Sequence, residues 1–256
     1  MIELERTIIE KKGLKLTNPI LIEGLPGIGF VAKIAVDYLI KKSNAKLVAK
    51  IYSPYFPPHV IMKKNGLVRL PSMRFYLIKG KTNDFLILAG DVQPNEFIAQ
   101  YKLNKEIVKY FKSKKGKFII TLGGYSTGNI KNGPEIYGAA TSAKIVEQYS
   151  KLGIEFGKTS GSIVGAAGML IGLGKLYGLE GVCLMAPTHG NYIDPKAAFN
   201  LLNKLLQIMD FKIDTNELEK RVSEGEKFIK KLEEIASREI GQFQPPNQPK
   251  DLTYIR

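Results

Sequence analysis

Gly24-Leu-Pro-Gly-Ile-Gly29 follows the apolar run Ile20-Leu-Ile22 and precedes a helix-like segment, a placement from which backbone N–H groups could cradle a phosphate. Its order, Gly-x-x-Gly-x-Gly, departs from the dinucleotide fingerprint, and Phe30-Val31 stand where a phosphate-binding Walker loop needs Lys and Ser or Thr. Pro26 removes a further donor. Gly24, Gly27 and Gly29 therefore read first as a structural turn. Other groups with usable chemistry are Asp91 and Gln93, the stretch Gly123, Gly124, Tyr125, Ser126 and Thr127, and Thr188, His189 and Asp194. Together they could line a polar cleft with His189 as base and Ser126 as nucleophile. Neither lies in a nucleophile-elbow sequence, so a hydrogen-bonded loop network is the favoured reading of the same residues. His59 and His189 are the only histidines and neither belongs to a spaced His-Glu-His motif, so neither a metal nor a cofactor is expected.

Such residues need elements to hold them, and the hydropathy pattern supplies these. Ile20-Leu-Ile22, Phe85 to Ala89, Phe118 to Leu122 and Val182 to Ala186 are short apolar runs that end in Gly-rich or polar turns, with helix-like segments between them. This alternation predicts an α/β fold: a layered, mostly parallel or mixed sheet flanked by helices. Each run should deliver its following loop to the carboxyl-end rim, where clefts form in such folds. Phe30 to Ile40 should pack a helix on the sheet. Asp194-Pro195 reads as an N-cap with proline at the first helical position, ahead of Phe199, Leu202, Leu205, Leu206 and Met209. Gly161 to Gly174 is expected to be a buried helix, with Gly165, Ala166, Gly168 and Gly172 allowing close approach to the sheet.

Composition narrows the function classes. The net charge of +14 comes from 38 basic and 24 acidic residues, the basic ones overwhelmingly lysine. Attraction to nucleic acid, anionic lipid or an acidic protein would each suit that charge. Without an Arg-rich stripe or interleaved aromatics, a solvated lysine surface is favoured over specific nucleic-acid recognition. Nonspecific binding through the lysines stays open as a reading, and it would weaken steeply with salt. Cys183, the only cysteine, sits in an apolar run and reads as a buried structural thiol. No apolar stretch is long enough to span a bilayer and no signal segment opens the chain, so a cytoplasmic protein without a membrane partner is expected.

The carboxyl-terminal part has a different character. Residues 1–213 read as the α/β core domain, 214–240 as an amphipathic helix and 241–256 as a flexible tail. Asp214-Thr-Asn-Glu217 suits a helix start, after which Leu218, Val222, Gly225, Ile229, Leu232 and Ala236 recur in four- and three-residue steps. That seam suits packing on the domain or pairing between subunits. Pro245, Pro246 and Pro249 favour an extended tether, beyond which Leu252, Tyr254 and Ile255 stand beside the Arg256 carboxylate. Such an end is suited to capture by another molecule.

The ordered set Gly24-Leu-Pro-Gly-Ile-Gly-Phe-Val-Ala, Asp91-Val-Gln-Pro, Thr121-Leu-Gly-Gly-Tyr, Gly165-Ala-Ala-Gly-Met-Leu-Ile-Gly-Leu-Gly and Pro187-Thr-His-Gly, with the amphipathic helix and tyrosine tail, resembles the archaeal proteasome assembly chaperone family. The resemblance implies a homo-oligomer, for example a tetramer, and ATP-independent interaction with the proteasome core particle. It also implies docking of the tail between α-ring subunits, through Leu252, Tyr254, Ile255 and Arg256. Tyr254 is third from the end, whereas the family's motif has tyrosine second from the end. Unfolded client chains are a further partner class. The competing reading is an enzyme acting on a nucleoside or phosphorylated small molecule in the strand-end cleft.

Overall fold

The structure, a computed structural model, describes residues 8–10, 14–126, 135–157, 161–190 and 192–224. Its elements in chain order are β1 (Ile8–Glu10), β2 (Ile20–Gly24), a 3-10 turn (Ile28–Phe30), α1 (Val31–Lys42), β3 (Lys46–Ile51), β4 (Ile61–Met62), β5 (Val68–Arg69), β6 (Met73–Lys79), β7 (Asp84–Gly90), α2 (Phe97–Ser113), β8 (Phe118–Ser126), β9 (Tyr137–Ala140), α3 (Ala143–Ser150), β10 (Glu155–Phe156), α4 (Gly165–Leu176), β11 (Glu180–Thr188) and α5 (Pro195–Met209). Residues 216–224 are helical as well.

The main sheet has nine strands in the order β1-β3-β6-β7-β2-β8-β11-β9-β10, and β4 and β5 form a separate hairpin. Its centre, β7-β2-β8-β11, is parallel. The flanking β6, β3 and β1 pair antiparallel on one side and β9 on the other, so the sheet is mixed around a parallel core. Buried on both faces, the parallel strands are nearly continuous apolar runs. Alternate residues supply two cores: Ile22, Ile87, Ile120, Val182 and Leu184 pack beneath α1, α3 and α5, whereas Leu21, Leu86, Leu88 and Ile119 pack beneath α2 and α4.

Two loop expectations need correction. Gly123 to Ser126 and Pro187-Thr188 are strand, not loop, because β8 and β11 pair in unbroken register from Phe118↔Glu180 to Ser126↔Thr188. Proline is accommodated at 187 because β9 pairs with β11 only across Val182 to Met185, so the missing N–H lies past that ladder. The glycine-rich helix starts at Gly165, not Gly161, and its close approach to the sheet is made at Gly174, where an added Cβ would lie 2.9 Å from Ile119 Cδ1. An added Cβ at Gly172 would meet nothing. Asp194 caps α5 as expected, its Oδ1 accepting from Ala197 N at 2.9 Å ahead of Pro195.

Leu218 is fully buried in the core beneath α1 and α5. Tyr38 donates its hydroxyl to the Asp214 carbonyl, and Lys41 and Lys42 pair with Glu217. The remainder of the expected seam, from Gly225 to Ala236, and the tail residues Leu252, Tyr254, Ile255 and Arg256 lie outside the described residues.

Candidate functional site

Because β7, β2, β8 and β11 run parallel, their carboxyl ends share one rim, and the loops singled out by composition meet there. β6 runs antiparallel to β7 and β3 antiparallel to β6, so the β3-to-β6 connection that carries the β4–β5 hairpin starts and ends at the same rim. Close packing seats the glycine loop. A Cβ at Gly24 would strike the Val36 side chain and come within 2.8 Å of the Ala32 carbonyl; one at Gly124 would lie 2.5 Å from the Ile28 carbonyl. Gly29 adopts φ 62° with Thr188 Oγ1 2.9 Å from where its Cβ would be. Gly27, in extended backbone, has open space around it, and Gly123 only an ordinary contact with Met185.

The polar rim residues are bonded to one another. Asp91 receives both guanidinium nitrogens of Arg69, at 2.6 and 2.9 Å, both of Arg74, at 3.1 and 2.9 Å, and the Ser72 N–H at 3.0 Å. Burial would raise the Asp91 pKa, but the two guanidinium groups and the Ser72 N–H outweigh it and hold the carboxyl well below the usual carboxylate range. Gln93 ties three segments: its Nε2 donates to the Pro26 carbonyl at 2.6 Å, and its Oε1 accepts from Ala166 N at 2.9 Å and Gln100 Nε2 at 3.1 Å. Asn104 continues the chain by donating to Gln100 Oε1 at 2.9 Å. Thr188 donates to Asp194 Oδ2 at 2.7 Å, and Asp194 N donates to the Gly29 carbonyl at 3.0 Å.

These contacts bring Gly29, Gly124, Thr188 and Asp194 together, and separately Gln93, Pro26 and Ala166. They do not form a serine–histidine pair. Ser126 Oγ donates to the backbone carbonyl of His189 at 3.3 Å, while the His189 ring packs on Tyr192 with centroids 5.5 Å apart. The Tyr125 ring meets Tyr137 edge-on. Thr127 lies outside the described residues. Among the described residues no group of three or more His, Cys, Asp or Glu is arranged to hold a metal ion, and no helix is long and apolar enough to cross a membrane.

Two features escaped the reading of motifs. Arg69 and Arg74 clamp Asp91, and their signal was present: the chain has only six arginines, and these two fall within six residues. Glu23 interrupts the apolar run of β2, in register with Thr121 of β8, itself in register with Cys183 of β11. All three are buried in the parallel centre of the sheet. Burial raises the Glu23 pKa to about 8, against the opposing backbone bonds from Leu25 and Leu122, and pushes the Cys183 thiol up to about 12. A thiol so placed is inert, as a structural cysteine should be.

Beside the bonded rim several large apolar residues are exposed. Phe97 is 93% exposed, and Ile98, Val164, Ile193 and Phe30 are also exposed. A rim whose polar side chains bond mainly within the protein, with large apolar side chains exposed beside them, is suited to contact with a protein surface.

The sequence profile of the PAC2 family matches residues 21–233, most of the chain. The chain belongs to the PAC2 family. A relative, an uncharacterized protein of Methanocaldococcus jannaschii, is 35% identical over 242 residues, covering 94% of this chain and 93% of its own. Among solved structures, the chain is similar to Pyrococcus furiosus PbaB, described as an archaeal proteasome activator, with 33% identity and a TM-score of 0.83 over 89% of this chain and 98% of that one. It is also similar to P. furiosus PbaA, described as an archaeal homolog of proteasome-assembly chaperone, with 27% identity and a TM-score of 0.75 over 93% and 97% of the two chains. The PAC2 match begins within β2 and extends past the last described residue, so it takes in all four parallel strands and their rim loops.

Proposed function

We propose that this PAC2-family protein is a non-catalytic, ATP-independent, cytoplasmic partner of the proteasome core particle that acts as an assembly chaperone or activator. The observation that carries the reading is the joint sequence and structural similarity, over nearly the whole chain, to a protein described as a proteasome activator. The rim adds support. Asp91, Gln93 and Thr188, the residues an enzyme would use, are engaged in holding loops, and Ser126 is not bonded to the His189 ring.

In this reading a homo-oligomer presents several C-terminal segments to the α-ring, with Leu252, Tyr254 and Ile255 as apolar anchors. The Arg256 terminal carboxylate pairs with a basic pocket. Several weak contacts become effective when their spacing matches the ring. Activation requires the tails to favour the open gate over the closed one. The test is co-sedimentation with purified archaeal core particles, alongside peptide hydrolysis, for the full chain and for a chain lacking residues 251–256. Tail-dependent binding is the expected result, and faster hydrolysis would identify an activator. Absence of binding by the full chain at low and moderate salt would overturn the reading.

A further inference from the structure

Charge on this chain is divided along the strand axis. The parallel strands β7, β2, β8 and β11 share an amino-end pole, and α1, α2, α4 and α5 end there as well. At that pole the segments 14–20, 41–46, 79–84, 109–118, 141–144, 175–180 and 209–217 hold fourteen lysines, no arginine and five acidic residues. The segments 25–30, 92–98, 161–165 and 192–194 at the carboxyl-end rim hold no lysine or arginine. We propose that the amino-end pole is a docking face for an acidic protein surface, and that a cleft at the pole seats one carboxylate of that surface. The proposal rests on the core-particle reading above, to which it adds an electrostatic contact separate from the tails.

The lysines outnumber the groups that could neutralise them. Asp84 pairs with Lys79, Asp210 with Lys81, and Asp214 and Glu217 with Lys42 and Lys41. Lys41, Lys42, Lys112 and Lys175 also lie in the last turns of helices, where a cation answers the helix dipole. Lys15, Lys46, Lys115, Lys117 and Lys212 lie outside the helices, exposed and without an ion pair among the described residues. Their charge is directed at solvent and at any partner of opposite sign.

Beside the starts of β2, β7 and β8 lies a cleft of about 570 Å³ whose lining includes Lys115, Lys117, Asn18, Asn83, Leu16 and Phe118. Asn18 and Asn83 each use one amide N–H within the protein, on the Thr82 carbonyl and hydroxyl, and each amide carries a second. Two ammonium groups and two amides beside apolar side chains suit a carboxylate on a short aliphatic stem, which is the chemistry of Asp and Glu.

The backbone at Lys115 points the same way by a separate route. α2 closes in a Schellman arrangement, with Gly116 N donating to the Phe111 carbonyl at 3.1 Å and Lys115 N to the Lys112 carbonyl at 2.9 Å. Such a closure needs one left-handed residue, commonly glycine, and here Lys115 takes that place at φ 64°. A lysine stands where glycine would be less strained, and it lines the cleft.

The pole lacks what other polyanions use. Arginine forks bind phosphate at two points and exposed aromatic rings stack on bases, whereas the pole segments contain no arginine and expose no large aromatic side chain. Their one exposed large apolar residue is Leu176, too little to enter a lipid layer. An acidic protein surface asks only for complementary charge, which speeds encounter and orients the molecule on approach. The helix at 216–224 starts at this pole, where Glu217 meets Lys41, so the face stands beside the segment that leads toward the tail.

The test is the association rate of the full chain with purified archaeal core particles, read by stopped flow over a range of salt, with polyglutamate as a second probe. Lys115→Glu with Lys117→Glu is expected to slow association by about tenfold or more at low salt, with the difference vanishing at high salt. Lys115→Gly should weaken polyglutamate binding about twofold while melting no lower than the wild type. A chain lacking residues 251–256 should keep its polyglutamate binding while losing most of its core-particle affinity, so the two readings fail separately. A wild type that does not bind core particles overturns the docking reading, and polyglutamate then decides the role of the pole. Absence of polyglutamate binding by the wild type, or binding that neither lysine variant changes, overturns the proposal, as does an unchanged association rate in the double variant. Equal weakening of binding to duplex DNA or to phosphatidylserine vesicles assigns the pole to polyanions at large and also overturns it.

Discussion

Asp91 and Glu23 are two carboxyl groups whose surroundings drive them in opposite directions. Asp91 lies between Arg69 and Arg74, so replacing it with Asn leaves two partly buried guanidinium groups facing each other. Asp91→Asn should cost about 3 kcal/mol, the range for breaking a buried ion pair by removing one partner, as read by urea unfolding at pH 7. The depressed Asp91 pKa also has a sign: its stabilisation is present above the ordinary carboxylate range and is lost as pH falls toward the folded value. Glu23 behaves in reverse. With its pKa raised from 4.5 to about 8, the folded protein holds a proton that the unfolded chain has lost, so stability should decline as pH rises through that window. Glu23→Gln should flatten this dependence and stabilise the protein at pH 8, by an amount on the order of 2–5 kcal/mol. Unfolding midpoints of wild type and variant at pH 5 and pH 8 check it, and a wild type more stable at pH 8 than at pH 5 because of Glu23 would contradict it. At this scale the sequence was informative about residue type and silent about partners. Asp91 could be singled out, but its arginines come from another strand and a hairpin that only folding places beside it.

At the level of elements, the glycine loop separates composition from geometry. Its three glycines look equivalent as a motif, yet Gly24 and Gly29 face atoms of α1 and β11 while Gly27 faces none. Gly124, on a neighbouring strand, is the surface on which the 3-10 turn rests. Gly124→Ala should therefore cost about 1–3 kcal/mol through overpacking, lowering the melting temperature by several degrees. Gly27→Ala should stay within about 0.5 kcal/mol of wild type. Thermal unfolding of the pair checks this, and equal effects would show that the turn is not seated on β8. The strands, the α5 cap and the helix starting near Asp194 were legible because periodicity and capping are local properties. The carboxyl ends of β8 and β11 were misread as loops because glycine and proline are turn formers in isolation. Here nine consecutive pairings override that preference.

For the molecule as a whole, docking on its partner is the property that matters most. If docking runs through several tails at once, removing residues 251–256 should reduce core-particle affinity ~100-fold without moving the unfolding midpoint, because avidity is lost with the tails. A binding titration by co-sedimentation reads this, and unchanged affinity in the truncated chain would contradict docking through the tail. The sequence by itself determined the α/β class, the buried strands, the α5 cap, the burial of Cys183 and the ordered motifs that mark the family, because each depends on residues near one another in the chain. Only the tertiary structure decided that the polar candidates bond to each other, that Glu23 lies in register with Thr121 and Cys183, and that exposed apolar residues far apart in sequence gather at one end. Those properties follow from strand order and register, which set the distance between residues that the chain keeps far apart.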